Sequence, residues 1–218
     1  NRVYFSQIIG DRVSVGKCYQ KNDPTSEVNF DILPDDGGVI VIAEAGEIRQ
    51  VVNSGNSLLV FASNGTWAIN GSDNNPFSPT NYSVTRISEI GTAGILPTIL
   101  VEGIPVWITN EGIYTIQVSE ISRLPNAVSI TKDTIQTFFD SIPKDNLPYI
   151  KGVYNSVEKV VIWLYRSTVA STVSDNYEYD KMLVLDRVSN AFYKHSISTS
   201  LAPSVSGIIA VDGLDLNG

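Results

Sequence analysis

A short turn between two apolar runs occurs twice in this sequence, and it constrains the fold more than any other feature. Residues 60–69 read VFASNGTWAI and residues 106–116 read VWITNEGIYTI, with Gly112 following Gly65 by 47 residues. Runs rich in β-branched and aromatic residues on both sides of a glycine-containing turn predict a β-hairpin. A hairpin that returns after about 45–50 residues is typical of folds that repeat one sheet-forming unit.

Strand patterns fill most of the remaining chain. Residues 2–8 alternate and are rich in β-branched and aromatic residues, and residues 38–52 predict a strand, a tight turn near Ala45 and Gly46, and a return strand. Further strands are predicted within 57–69, 81–91, 97–120, 151–167, 179–198 and 205–213. In the first repeated hairpin, Asn64-Gly65 predicts a type I′ turn, because its positive φ angles match the twist of the flanking strands.

One segment has helical spacing instead. Within residues 129–143, the apolar side chains that recur at helical intervals are Ile135, Phe138, Phe139 and Ile142. We expect Thr131 to cap the start of this helix and Pro143 to end it. Residues 166–179, which are rich in Ser and Thr, predict a mobile loop.

Strands joined by hairpins, a recurring unit and one short helix predict an all-β fold. The favoured architecture is a β-propeller-like array of antiparallel blades, and the alternative is a large β-sandwich. We treat 1–218 as a single β-rich domain that is part of a longer chain or of a ring assembly. The blade-like segments are expected at 38–91, 97–131 and 150–198, with a partial blade formed by 203–213 together with 2–8.

In this interpretation the repeated hairpin is a building block and not a binding site. The residues of this structural repeat are Asn64, Gly65, Trp67, Gly112 and Tyr114. Trp67 and Tyr114 are expected to occupy equivalent packing positions, and Tyr193 is a further candidate for the same position. Trp107 and Trp163 are expected to pack on the neighbouring sheet.

Composition excludes several classes of function. With one cysteine, Cys18, and one histidine, His195, the chain cannot form an intrachain disulfide or a multi-histidine metal site. Its net charge is −8 and its Lys and Arg residues form no basic patch, so duplex DNA would meet a repelling surface. No apolar run approaches the roughly 18 residues of a membrane span.

The densest acidic stretch, residues 18–38, holds the weak candidates for a metal site. Carboxylates are the ligands that hard cations prefer, and those available here are Asp23, Glu27, Asp31, Asp35 and Asp36. Their spacing fits no EF-hand loop, and turn residues surround them, so a solvent-exposed loop is the favoured interpretation. We expect no metal and no cofactor.

No catalytic motif appears in the sequence. There is no phosphate loop, no dinucleotide fingerprint and no Gly-x-Ser-x-Gly turn. His195, beside Ser196, is expected to be a surface residue of a strand. The pattern therefore indicates a structural protein and not an enzyme.

Several segments, taken in order, carry a resemblance to a known family. They are RVYFSQ, CYQKNDPTSE, DDGGVIVIAEAGEI, LLVFASNGTWAING, YSVTRISEIGT, TNEGIYTI, DTIQTFFDSIP, VVIWLY and MLVLDRVSNAFYKHSI. This set resembles the tail nozzle proteins of short-tailed, podovirus-type bacteriophages, also called tail tubular protein B. The chain is shorter than a complete nozzle protein, so the family's gate and platform regions are assigned to no residue here.

The resemblance implies a structural virion protein with β-propeller parts and no catalytic residues. Members of this family form a homohexameric tube below an adaptor ring, carry attached fibres and let the genome pass as cargo. The implied location is the phage tail, after assembly in the bacterial host cytoplasm. The alternative from another class is a carbohydrate- or host-receptor-binding β-propeller.

Overall fold

The computed structural model of this chain divides into two compact units, Asn1–Gly91 and Thr92–Gly218. The structure describes residues 2–6, 12–17, 38–54, 57–71, 81–94, 98–118, 125–197 and 205–208. Antiparallel sheets make up most of the described chain, and its helices are short. The all-β prediction is confirmed. The propeller arrangement stays a prediction.

The described residues of unit 1, Asn1–Gly91, form two sheets. Its strands are β1 (Arg2–Ser6), β2 (Arg12–Lys17), β3 (Gly38–Val41), β4 (Ile48–Ser54), β5 (Ser57–Ala62), β6 (Gly65–Asn70) and β7 (Ser83–Ser88). The first sheet has the order β1-β2-β3 and the second the order β4-β5-β6-β7. All neighbouring strands are antiparallel and consecutive in sequence, so each sheet is a meander.

The described residues of unit 2, Thr92–Gly218, form two four-stranded meanders and three short helices. Its strands are β8 (Ile99–Val101), β9 (Ile104–Ile108), β10 (Ile113–Val118), β11 (Pro125–Ser129), β12 (Lys151–Asn155), β13 (Val160–Tyr165), β14 (Lys181–Asp186) and β15 (Ala191–Ser196). Helix α1 is Gln136–Phe139, and two 3-10 helices span Lys144–Tyr149 and Ser174–Tyr177. The sheets run β8-β9-β10-β11 and β12-β13-β14-β15.

Central strands are buried on both faces. Successive side chains of a strand point to opposite faces of the sheet. On β5 the consecutive residues Val60 and Phe61 are both 0% exposed, so both faces of this strand are buried. Val60 faces the core that its sheet shares with β3, opposite Trp67 of β6. The strands at the centre of the sheet therefore read as continuous apolar runs, which is why the hairpin at 57–69 is so prominent in the sequence.

A second core joins both sheets of unit 2 and the helical segment. It contains Ile113 of β10, Trp163 of β13 and Phe139 of α1, all of them buried. The first strands of the two sheets, β8 and β12, lie side by side, as β1 and β4 do in unit 1. Gly152 permits this approach, since a Cβ there would lie 2.9 Å from Trp163 Cδ1 and 3.3 Å from Ile99 Cδ1.

Residues 38–52 do contain two strands, but the prediction that these two strands pair with each other is wrong. β3 pairs with β2, and β4 pairs with β5 in the next sheet. Ile40, Ile42 and Ala45 bury their side chains in the core between these sheets, so the chain crosses from one sheet to the other. The expected segment 38–91 thus contains one strand of the preceding sheet.

The other expected segments correspond more closely to single sheets. β8–β11 fall within 97–131, and β12–β15 fall within 150–198. The proposed pairing of 203–213 with 2–8 lies mostly outside the described residues. Within the described part, β1 pairs with β2, and Val205 forms an isolated bridge with Tyr179.

The first repeated hairpin is present, but the type I′ prediction for Asn64-Gly65 is wrong. Ala62 pairs with Gly65, so the turn residues are Ser63 and Asn64, and neither has a positive φ. Contacts from outside the hairpin hold this turn. Ser63 N donates to Glu47 O at 2.9 Å, and Glu47 N donates to Ser63 Oγ at 3.0 Å.

Type I′ geometry occurs elsewhere, between β8 and β9. Val101 pairs with Ile104, which leaves Glu102 and Gly103 as the two turn residues, with φ angles of 52° and 83°. Both values lie in the left-handed region that this turn requires. A nonglycine residue thus occupies one left-handed position here, where sequence preference alone would favour Asn or Gly.

The predicted helix is much shorter than expected. Its N-cap is Ile135, which makes no side-chain capping bond, so the prediction that Thr131 caps the helix is wrong. The Thr131 hydroxyl instead accepts a hydrogen bond from Ile113 N of β10 at 3.3 Å. The segment's apolar side chains still pack inward, because Phe139 and Ile142 are buried in the core of unit 2.

Trp67→Ala tests the packing role of the repeated hairpin. Trp67 is 3% exposed in the core of unit 1, and truncating a buried aromatic residue costs about 3–5 kcal/mol of unfolding free energy. Urea denaturation measures the loss. Tyr193→Ala is the matched control, because Tyr193 is 48% exposed on β15 and surface changes cost about 0.5 kcal/mol or less. Equal losses in the two variants would contradict the packing role.

Candidate functional site

The acidic candidates for a metal site lie outside the described residues. Asp23, Glu27, Asp31, Asp35 and Asp36 all fall between 18 and 37, where the structure describes nothing. Among the residues that are described, no group of three or more His, Cys, Asp or Glu side chains could hold a metal ion.

In the first copy of the repeated hairpin, Trp67 is buried and an arginine lies over its ring. The guanidinium of Arg86 on β7 lies 5.4 Å from the centre of the Trp67 ring. Arg86 Nη2 also donates to Asn64 O at 2.7 Å. A Cβ at Gly65 would lie 2.5 Å from Ser88 O and 3.1 Å from the Trp67 ring, so glycine allows this close packing. The arrangement is that of a structural element.

In the second copy of the repeated hairpin, the backbone at Gly112 lies close to the side chain of Thr131. A Cβ there would lie 2.4 Å from Thr131 Oγ1. The turn spans 109–112, where the Thr109 hydroxyl accepts from Glu111 N and Gly112 N. Tyr114 follows on β10, half-buried, with its ring 6.1 Å from that of Trp107. Burial, and then the nearby Glu111 carboxylate, raise the pKa of Tyr114 above its usual value.

The two copies share a place in the sheet but differ in their turns. Trp67 and Tyr114 both lie on the third strand of a four-stranded sheet. Tyr193 lies on a fourth strand and is exposed, so it is not their counterpart. Trp107 and Trp163 lie on second strands and are buried at 0% and 1% exposure. His195 is exposed on β15, as expected for a residue of a surface strand.

One cavity, the intersheet groove, opens between the two sheets of unit 2. It has a volume of about 400 Å³ and is lined by residues that include Val106, Leu185, Phe192, Asp133 and Arg187. Its described lining includes neither histidine nor cysteine. The groove combines apolar side chains with one carboxylate and one guanidinium.

A second cavity, the polar cleft, lies between the 3-10 helix Lys144–Tyr149 and the loop 169–176. It is an open cleft of about 580 Å³, whose lining includes Lys144, Asp145, Asn146, Tyr149, Ser171 and Asn176. This volume, like that of the intersheet groove, lies in the roughly 300–1,000 Å³ range of small-molecule sites. The cleft is the stronger candidate of the two because its lining includes Asn146, whose buried Oδ1 has no hydrogen-bond partner among the described residues.

The loop wall of the polar cleft is held by a hydrogen-bonded turn. The Asp175 carboxylate accepts from Ser171 N, Thr172 N and Thr172 Oγ1 at 2.7–3.0 Å. The Thr172 hydroxyl, followed by the Thr172 backbone N–H, holds the pKa of Asp175 below its ordinary value. The segment predicted as a mobile loop thus contains a defined turn, followed by the 3-10 helix Ser174–Tyr177.

The other wall of the cleft is held by three tyrosines, of which Tyr179 is buried, Tyr149 is partly buried and Tyr177 is exposed. The Tyr149 and Tyr177 rings meet edge to face at 5.4 Å, and the Tyr179 hydroxyl donates to Tyr149 O at 2.7 Å. Burial, with a smaller effect of Tyr177, raises the pKa of Tyr179 to about 12. Tyr165 has its pKa raised to about 12 by burial and then by Asp180.

Sequence reasoning missed the polar cleft. Its residues come from two segments, KDNLPY at 144–149 and VASTVSDN at 169–176, and neither matches a motif. Asn146 follows Lys144 and Asp145 in the sequence, so no local pattern marks its side chain as buried.

Comparison with known proteins gives no family for this chain. No protein-family model matches it, and no curated protein matches it in sequence. No helix in the described segments is long and apolar enough to cross a membrane.

Gly112→Ala should destabilise the chain by overpacking. The new methyl group would press on the buried Thr131 hydroxyl, and overpacking costs about 1–3 kcal/mol. Combining it with Thr131→Ala removes the obstructing atom, so the double variant should lose less than the sum of the single losses. Chemical denaturation measures these free energies, and strictly additive losses would overturn the steric explanation.

Alkaline pH should unfold unit 2 through its buried tyrosines. Because the folded pKa values of Tyr165 and Tyr179 are about 12 against an ordinary 10.0, their contribution is complete below pH 10. It is lost as the pH rises from 10 towards 12, by about 2 kcal/mol for each tyrosine at pH 12. Tyr165→Phe keeps the ring and removes the ionisable hydroxyl, so it should flatten the fall in thermal stability. An unchanged pH profile would contradict the assignment.

Proposed function

We propose that this chain is a structural subunit of a bacteriophage tail, part of the nozzle or tail tube through which the genome leaves the capsid. The observation that carries the proposal is the sheet topology. Each of the three four-stranded sheets consists of four consecutive antiparallel strands. Propeller blades are built in this way, and the nozzle family that the sequence resembles contains β-propeller parts.

Connectivity favours blades over a β-sandwich. Sandwich folds commonly use Greek-key connections that carry the chain between sheets and back. Here every described sheet is completed before the next begins. The first strands of consecutive sheets lie side by side within each unit, at β1 and β4 and again at β8 and β12. First strands meet in this manner around a propeller axis.

The net charge supports a role as a conduit. A chain with a net charge of −8 presents few counterion-displacing contacts to duplex DNA. A lumen that bound DNA would slow ejection, whereas a repelling lumen lets the duplex pass as cargo. The partners in this proposal are further copies of the chain in a homohexamer, the adaptor ring and the fibres. Its location is the virion, after assembly in the host cytoplasm.

Electron microscopy and light scattering test the proposal directly. The full chain should form rings of six copies with a central tunnel in negative stain, with a mass of about 142 kDa from six chains of 23.7 kDa. Duplex DNA should not bind detectably at about 50 mM salt, where electrostatic binding is strong. A monomer at every concentration tested, or tight binding of duplex DNA, would contradict the proposal. A carbohydrate- or receptor-binding propeller predicts the monomer.

A further inference from the structure

A buried acceptor lies in the polar cleft. Asn146 is 3% exposed, and its Nδ2 donates to Arg166 O at 3.0 Å and to Thr168 O at 2.8 Å. Carbonyl oxygens only accept hydrogen bonds, so these contacts fix which end of the amide is nitrogen. Asn146 Oδ1 is buried and has no hydrogen-bond partner among the described residues. Because an unsatisfied buried acceptor is costly, a donor from a ligand would stabilise this position.

Three more polar side chains surround this acceptor. Lys144, Asp145 and Asn176 line the same cleft, and none of them makes a side-chain hydrogen bond or ion pair with a described residue. Together they offer an ammonium donor, a carboxylate acceptor and an amide that does both. The two charges are opposite and the chain as a whole is acidic, so this lining suits a neutral ligand better than an anion.

Apolar surface completes the cleft. Pro148, Tyr149, Val169 and Val173 also line it, and the two valines are 63% and 76% exposed. A ligand that fits presents C–H surface as well as several hydrogen-bonding groups, and sugars combine both. Small-molecule sites combine apolar walls with a few placed polar groups in this way.

We propose that the polar cleft binds a neutral saccharide, with one sugar hydroxyl donating to Asn146 Oδ1. Other hydroxyls bond to Asp145, Lys144 and Asn176, and the C–H face of a sugar ring lies against the apolar side chains. An extended peptide fits less well, because the walls of the cleft are a 3-10 helix and a loop and no sheet edge is open for strand addition.

The cleft is preorganised for such a ligand. Arg166 Nη1 donates to Asp175 O at 3.0 Å, while the Asp175 carboxylate holds Ser171 and Thr172. The loop therefore needs little ordering when a ligand binds, which lowers the entropic cost of association. This inference does not depend on the proposed tail function, because ring assembly and sugar binding are separate measurements.

Saturation-transfer NMR on the full chain tests the proposal with glucose, N-acetylglucosamine, lactose and maltotriose as probes. At least one should bind with a Kd of about 10 mM or tighter. Asp145→Ala and Asn176→Ala should each weaken binding about fivefold, as expected for the loss of one hydrogen bond. Their side chains make no hydrogen bond or ion pair with a described residue, so both variants should keep the parent's thermal unfolding profile.

Matched controls lie elsewhere in unit 2. Glu158→Ala removes an exposed carboxylate from the β12–β13 turn, and Asn126→Ala removes an exposed amide from β11. Neither should change sugar binding. The proposal is overturned if none of the four sugars binds at about 20 mM. It is equally overturned if Asp145→Ala and Asn176→Ala bind as tightly as the controls, or if the cleft captures peptides that no sugar displaces.

Discussion

Central strands that are apolar on both faces impose the main constraint on this fold. An antiparallel sheet with one face in water alternates apolar and polar residues, but Val60 and Phe61 on opposite faces of β5 are both inaccessible to solvent. Exposing either face would forfeit about 25 cal/mol for each Å² of apolar surface. Each face of such a sheet must be covered, so Val60 packs in the core that β4–β7 share with β3, and polar residues collect at turns and edge strands.

The strands were predictable because their signals are local. Apolar runs and glycine-containing turns place the hairpins around Trp67 and Tyr114 where they occur. The sheet to which β3 belongs was not predictable from the sequence. A buried apolar residue such as Ile40 is expected both in a strand that pairs with β4 and in a strand that packs on the next sheet. Turn type at Ser63 and the short helix also depended on partners distant in sequence, which a local pattern does not contain.

The candidate site was less predictable than the fold. The environment of Asn146 depends on two carbonyl groups about twenty residues further along the chain, and only folding brings them together. The compositional signal pointed elsewhere, to the acidic residues of 18–38, which lie outside the described residues. An unpartnered buried side chain such as Asn146 has no sequence motif, because its environment is formed by distant residues. A buried strand does have one, because its apolar run is continuous in the sequence.

The distribution of tryptophans gives each unit its own optical reporter. Trp67 is the single tryptophan of unit 1, while Trp107 and Trp163 both belong to unit 2. All three are buried, and the guanidinium of Arg86 lies over the ring of Trp67. Replacing Trp107 and Trp163 with phenylalanine would leave an emission that follows unit 1 alone. Comparing its melt with that of the converse Trp67→Phe variant, whose emission follows unit 2, would show whether the two units unfold together.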